Sequence, residues 1–193
     1  RLTTSEGENP RLEHWLELFT GSNEAGSAVL IGGYGRGREG EAFIRVVSGD
    51  GFARGYEWDT EGNNNLRWCT NTIDSTENDN DIRSFTSDAI VADFAAPGAT
   101  EFEGSAARHD SGGPWAIKQN GVWKLAGLTR AITIRLDENN QTIQESWFDP
   151  SDTLDAVRIS SYAQWIKQIT DMPGDIAKNG QVDLADFATA AKY

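Results

Sequence analysis

Arg108-His109-Asp110-Ser111-Gly112-Gly113-Pro114, followed by Trp115–Lys118, Asn120-Gly121 and Val122–Leu128, is the stretch on which the reading of the fold turns. A serine flanked by glycines on a tight loop presents its hydroxyl and a backbone N–H to one point. An acyl-transfer nucleophile with an oxyanion hole needs that arrangement. Each of these residue types also favours turns, so the string reads as a plain Asp-Ser-Gly-Gly-Pro turn as well. Asn120-Gly121 between two β-rich runs is a hairpin signal, because both residues tolerate positive φ.

Working outward, similar short runs recur on both sides: Ala28–Ile31, Glu41–Val47, Leu66–Ile73, Ala89–Asp93 and Ala131–Leu136. Gly49-Asp50-Gly51 and Gly62-Asn63-Asn64-Asn65 punctuate them. Regularly spaced short strands predict an all-β barrel or sandwich. The acidic stretch Asp74–Asp88 reads as a solvated loop. Near the end the period changes. Tyr162, Trp165, Ile166 and Ile169 fall on one helical face, with Ser160 or Ser161 as the cap. Leu184, Phe187, Ala188 and Ala191 repeat the spacing after Asp183, a second N-cap.

The composition narrows the function. The chain has 193 residues and a net charge of −13, which disfavours nucleic acid and anionic membrane as partners. No apolar run approaches the ~20 residues of a membrane helix. Seven Trp and eight Phe suffice for a core. The single Cys69 excludes an internal disulfide and a cysteine-based zinc site, and His14 and His109 are the only histidines. The chain begins Arg1-Leu2-Thr3, without an initiator Met or an apolar leader, so a processed chain or a further upstream segment is expected.

The Asp-Ser-Gly-Gly-Pro loop, its hairpin and the strand Trp123–Thr129 resemble the chymotrypsin/trypsin-like serine proteases. Phe19–Gly37 is similar to the start of that family's second β-barrel, and Val157–Ile166 to the strand and helix that close it. The resemblance spans residues 12–170. It implies an inter-barrel linker or the end of a first barrel at 1–18, a Greek-key β-barrel at 19–159, a closing helix at 160–170 and a short helical appendage at 171–193. It also implies roles. Ser111 is the nucleophile, and the N–H groups of His109 and Ser111 form the oxyanion hole. Asp110 is the carboxylate that orders that hole by pairing with a new N-terminus in activated members. Ser105, with Ala106 and Arg108, forms the primary specificity pocket, and Thr129, Arg130 and Ala131 form the strand that binds substrate backbone.

The sequence departs from the family pattern at several points. His109 stands where the family has glycine, so the hole is either distorted or held by left-handed angles at a residue with a β-carbon. The neutral Ser105 floor implies an apolar or small residue before the cut rather than Lys or Arg. Arg108 and Arg130 leave an acidic preference as an alternative. The family's catalytic His and Asp belong to the first barrel. His14 lies in linker-like sequence, and the His109 side chain should project away from Ser111. The general base is therefore expected from an N-terminal barrel on another chain or segment, and the chain alone is expected not to turn over peptides. No cofactor is required for catalysis. The alternative is an inactive homologue serving as a binding or scaffold module.

In the appendage, Asp175, Asn179, Gln181, Asp183 and Asp186 fall at positions 1, 5, 7, 9 and 12 of a calcium-type loop, with Gly180 at the turn. This resembles one dockerin-type repeat of exported bacterial proteins, and the resemblance implies a Ca2+ site and a secreted or periplasmic location. Ala177 leaves position 3 without a side-chain oxygen, and an Asn-Gly turn before an Asp-capped helix is the plainer reading.

Overall fold

The computed structural model describes residues 16–47, 51–59, 65–82, 85–132, 147–148, 150, 152–170 and 184. The chain is mostly β. Its strands are β1 (Glu17–Leu18), β2 (Ala28–Gly33), β3 (Arg38–Val47), β4 (Gly51–Trp58), β5 (Arg67–Thr72), β6 (Ser75–Ile82), β7 (Phe85–Asp93), β8 (Pro114–Gln119), β9 (Val122–Ile132), β10 (Trp147–Phe148) and β11 (Thr153–Arg158). The helix α1 (Ile159–Thr170) follows directly.

Among the described residues the main sheet has eight strands. Seven run antiparallel in the order β5-β2-β8-β9-β11-β7-β6. β1 pairs in parallel with Lys124 and Leu125 of β9, where β11 does not reach. Asn120 and Gly121 turn the β8–β9 hairpin with φ of 52° and 82°, as their side chains predict. The buried Asn71 ties the two arms of the sheet together. Its amide donates to Asp93 O at the end of β7 (2.9 Å) and to Gly104 O (3.0 Å).

Alternation along the strands builds the core. Val29 and Ile31 of β2, Trp115 and Ile117 of β8, Ile90 and Ala92 of β7, and Leu154 and Ala156 of β11 all point inward. Gly127 on β9 is small by necessity: a β-carbon there falls 2.8 Å from Ile90 Cδ1 and 2.9 Å from Ala156 Cβ. A second sheet, β10-β4-β3, carries a separate aromatic cluster. Trp58 stacks on Phe148 at 4.2 Å, and Phe94 meets Phe148 edge-on at 4.8 Å. Ala107, four residues before Ser111, is buried in that cluster.

Three expectations need correction. Asp74–Asp88 is mostly the β6–β7 hairpin and not a solvated loop. Its acidic side chains occupy an exposed strand, with a bulge between Glu77 and Asn80 where Asp79 takes φ 50°. Ser160 does not cap α1: it lies inside the first turn, and its hydroxyl donates to Glu24. Trp165 is 60% exposed, so the buried face of α1 is instead Ile159 and Ala163, with Tyr162 and Ile166 half-buried.

Candidate active site

The Ser111 loop is held by its neighbours on both sides. Asp110 N–H donates to Ala107 O (3.1 Å), and Gly113 N–H donates to Asp110 O (2.8 Å). Gly112 N–H donates to Thr129 O, and Thr129 N–H donates to Gly113 O, both at 2.8 Å. β9 thus fixes the loop from below. Pro114 follows at the first position of β8, where no ladder donor is sacrificed.

Within the loop, His109 takes φ 80° and Gly112 φ 83°. A residue with a β-carbon pays about 1–2 kcal/mol for that left-handed conformation. His109 adopts it nonetheless. Neither His109 N–H nor Ser111 N–H donates to an acceptor among the described residues. Both residues are exposed at the surface. The loop therefore offers a hydroxyl and a pair of unpartnered N–H groups within three consecutive residues.

Asp110 supplies the strut. Its Oδ1 accepts Gly35 N–H at 2.6 Å, and its Oδ2 accepts Ala107 N–H at 2.8 Å. The turn it grips must be glycine. A β-carbon on Gly33 falls 1.9 Å from Asp110 Oδ1, and one on Gly35 falls 2.7 Å from the same oxygen. Arg36 N–H reaches Arg108 O at 3.4 Å on the same side.

The remaining expected residues divide. Ser105 and Ala106 line a cavity of about 430 Å³ together with Asp110, Arg67, Cys69 and aromatic rings of the second sheet. Ser111, Arg108, Thr129, Arg130 and Ala131 do not line it. Ser105 donates its hydroxyl to the carbonyl of Ala106 (3.2 Å). Arg108 is exposed beside His109. Thr129 is buried, and its hydroxyl accepts Trp115 Nε1–H at 3.0 Å, so only its backbone serves the loop. The Arg130 side chain is bonded to neighbouring strands. Its guanidinium pairs with Asp155 at 2.8 Å and donates to Asn80 Oδ1 (2.6 Å) and Ser87 Oγ (2.7 Å), which commits it to β6, β7 and β11. It is not available to favour an acidic substrate side chain.

A strand edge lies open here. β8 stops pairing with β9 at Pro114 and Leu128, whereas β11 continues along β9 to Ile132. Arg130–Ile132 therefore present one main-chain edge with no strand partner among the described residues. Ala131 sits on it, half-buried.

Cys69 is a poor nucleophile. Burial pushes its thiol up to about 12, and the charges of Asp110 and Glu103 act in the same direction. It stays protonated at neutral pH and unreactive. Sequence reading missed the second half of the strut, the Gly33-Tyr34-Gly35 turn with Arg67 behind it. The signal was the spacing of glycines in Gly32-Gly33-Tyr34-Gly35-Arg36-Gly37, a density that close backbone approach demands.

His14 lies outside the described residues, as do the appendage positions Asp175, Asn179, Gln181, Asp183 and Asp186. Among the described residues, no group of three or more His, Cys, Asp or Glu is placed to hold a metal ion, and no helix is long and apolar enough to cross a membrane. No protein-family model and no curated protein matches the chain.

Proposed function

We propose that this chain is the nucleophile-bearing half of a trypsin-like serine endopeptidase, its β-sheet being the second barrel of a two-barrel enzyme. Ser111 Oγ attacks the scissile carbonyl. A histidine from the N-terminal barrel, oriented by an aspartate there, takes the hydroxyl proton and returns it to the leaving amine. The N–H groups of His109 and Ser111 hold the oxyanion, and water then hydrolyses the acyl-enzyme. The substrate backbone adds to the open edge at Arg130–Ile132, as an extended peptide adds to any exposed strand. Calcium at the Asp175–Asp186 loop, export from the cell and a peptide or protein substrate belong to the same reading.

One observation carries it: an exposed serine beside two N–H groups without an acceptor among the described residues, on a loop whose left-handed His109 is followed by a carboxylate that grips Gly35 and Ala107. A plain turn needs no such strut. A second reading, an inactive homologue acting as an extracellular binding module, is favoured by a specific fact. Ser111 Oγ has no hydrogen-bonded base among the described residues, and Arg130 is tied up elsewhere.

Intact-mass measurement after treatment with a fluorophosphonate separates the two. The expected result is one adduct on Ser111 when the N-terminal barrel is present, abolished in Ser111→Ala, and no adduct on this chain alone. An unmodified Ser111 in the two-barrel preparation gives the molecule to the binding-module reading.

A further inference from the structure

Arg67 stands at the start of β5, directly across from Gly33 in the β2–β5 ladder. Its Nη1–H donates to Gly35 O at 3.1 Å. The guanidinium comes close to Gly37, where a β-carbon falls 2.5 Å from Nε and 2.9 Å from Cζ. Gly35 is thus held from two sides. Its N–H goes to the Asp110 carboxylate and its C=O takes the Arg67 guanidinium. The peptide units flanking one glycine bridge a cation and an anion, and the anion belongs to the residue next to Ser111.

We propose that Arg67 is a positioning residue for the Ser111 loop: acting through Gly35 and Asp110, it sets the N–H pair of His109 and Ser111. The role assigned to that pair rests on the endopeptidase reading. The mechanical linkage does not, since it is a chain of contacts from β5 to the loop. A guanidinium suits the task because it is planar and always charged, and so can lie close to a glycine while donating in a fixed direction. A hydrogen bond to a charged donor also polarises the peptide it touches, whose N–H is that of Arg36 and donates to Arg108 O at 3.4 Å, a second link to the Ser111 loop. The glycine at 37 leaves room for the cation, as those at 33 and 35 leave room for the carboxylate.

Amide hydrogen exchange, read residue by residue by NMR on the full chain, tests this. The probes are the strut's own donors, Gly35 and Ala107, with Ile90 on β7 and Ala156 on β11 as references remote from Arg67. In Arg67→Ala, Gly35 and Ala107 are expected to exchange roughly tenfold faster or more while Ile90 and Ala156 keep their rates. Arg67→Lys, which retains a cationic donor, is expected to recover part of the protection. If Arg67→Ala fails to fold, Gly37→Ala carries the same test by displacing the guanidinium. Uniform acceleration at all four amides means a merely structural arginine and overturns the proposal, as does an unchanged Gly35. In the two-barrel preparation, the expected signature is a fall in kcat with KM unchanged, and a change in KM alone overturns it. Exchange needs no substrate, so a Ser111 that never acylates sinks the endopeptidase reading and leaves the linkage result standing.

Discussion

Glu24 gives both carboxylate oxygens to side chains, whereas Asp110 gives both to backbone N–H groups. Glu24 is fully buried beside the first turn of α1. There Arg158 grips it with Nε at 2.8 Å and Nη2 at 2.9 Å, and Ser160 adds a hydroxyl. Asp110 is half-buried between the Gly33–Gly35 turn and Ala107. The first carboxylate fastens a helix to the sheet, and the partners are long side chains whose position tolerates adjustment. The second fixes main-chain atoms directly, so an error of a few tenths of an ångström in it passes straight to His109 and Ser111. The contrast teaches that ion pairing serves attachment here, and peptide donors serve geometry.

The sharpest way to break that contrast is at Glu24. Glu24→Gln removes the charge that the Arg158 guanidinium grips and leaves Asp88 as the other acidic charge acting on it, and removing one partner of a buried pair costs about 3–5 kcal/mol. Replacing both, as Glu24→Leu with Arg158→Met, is expected to recover most of the loss, because apolar packing of similar volume substitutes for a buried pair. Chemical denaturation reads both. The pH dependence has a definite sign. Burial alone would push Glu24 upward, but the hydrogen bonds from Arg158 and Ser160 outweigh it and hold its pKa below the ordinary carboxylate value. Its contribution is therefore present above that ordinary value and lost as pH falls through the lowered one. The acid limb of the stability curve should flatten in Glu24→Gln. A double variant as unstable as the single one would mean that Glu24 does more than pair.

At Asp110 the matching perturbation is steric. Gly33→Ala places a β-carbon 1.9 Å from Asp110 Oδ1, so the strut or the turn must move. Overpacking of this kind costs about 1–3 kcal/mol. On the proposed endopeptidase reading the effect on Ser111 is expected to be disproportionate, with acylation in the two-barrel preparation falling further than the loss of stability accounts for. Gly26→Ala is the control, since its left-handed φ of 80° carries a backbone penalty of about 1–2 kcal/mol, comparable in size to the overpacking cost, while a β-carbon there meets nothing within 4 Å. Equal effects of the two alanines on Ser111 acylation would dissolve the distinction between attachment and geometry.

How much of this was legible in the sequence follows from the range of each signal. The β8–β9 hairpin and α1 are local: Asn120-Gly121 and the apolar spacing from Tyr162 specify them within a few residues. The β6–β7 hairpin was hidden because alternation with an acidic outer face looks like a charge run. Trp165 was misassigned because helical spacing names a face without saying which way it points. At the site, the Ser111 loop announced itself, but its strut joins residues 75 apart in the chain. Arg67 and Gly35 bond across 32 residues, and nothing in either residue's neighbourhood specifies the other. Arg130 shows the converse. Its place beside the open edge of β9 was readable, but the direction of its side chain was settled by Asn80, Ser87 and Asp155 on other strands.

The smallest effect expected concerns a third carboxylate, at Asp93, which has neither kind of partner in full. Its backbone N–H donates to Asp74 Oδ2 at 2.7 Å, which brings two acidic residues together at the end of β7. Burial raises the Asp93 pKa above the ordinary value, and the neighbouring Asp74 charge adds to it. The sign is opposite to that at Glu24. A carboxyl whose folded pKa is raised favours the fold while protonated, and that advantage is lost as pH rises through the raised value. Above that value the Asp74 charge repels the Asp93 carboxylate, a net cost held under about 1 kcal/mol by solvent screening. Asp93→Asn removes the repulsion and keeps a donor for Asp74. Melting at pH 7 should rise by no more than about 2–4 °C, with no gain near pH 3, where Asp93 is already neutral in the native chain. A gain of equal size at both pH values would show that packing, rather than charge, sets this end of the sheet. Carboxylates in this fold would then sort by what they touch and not by whether they ionise.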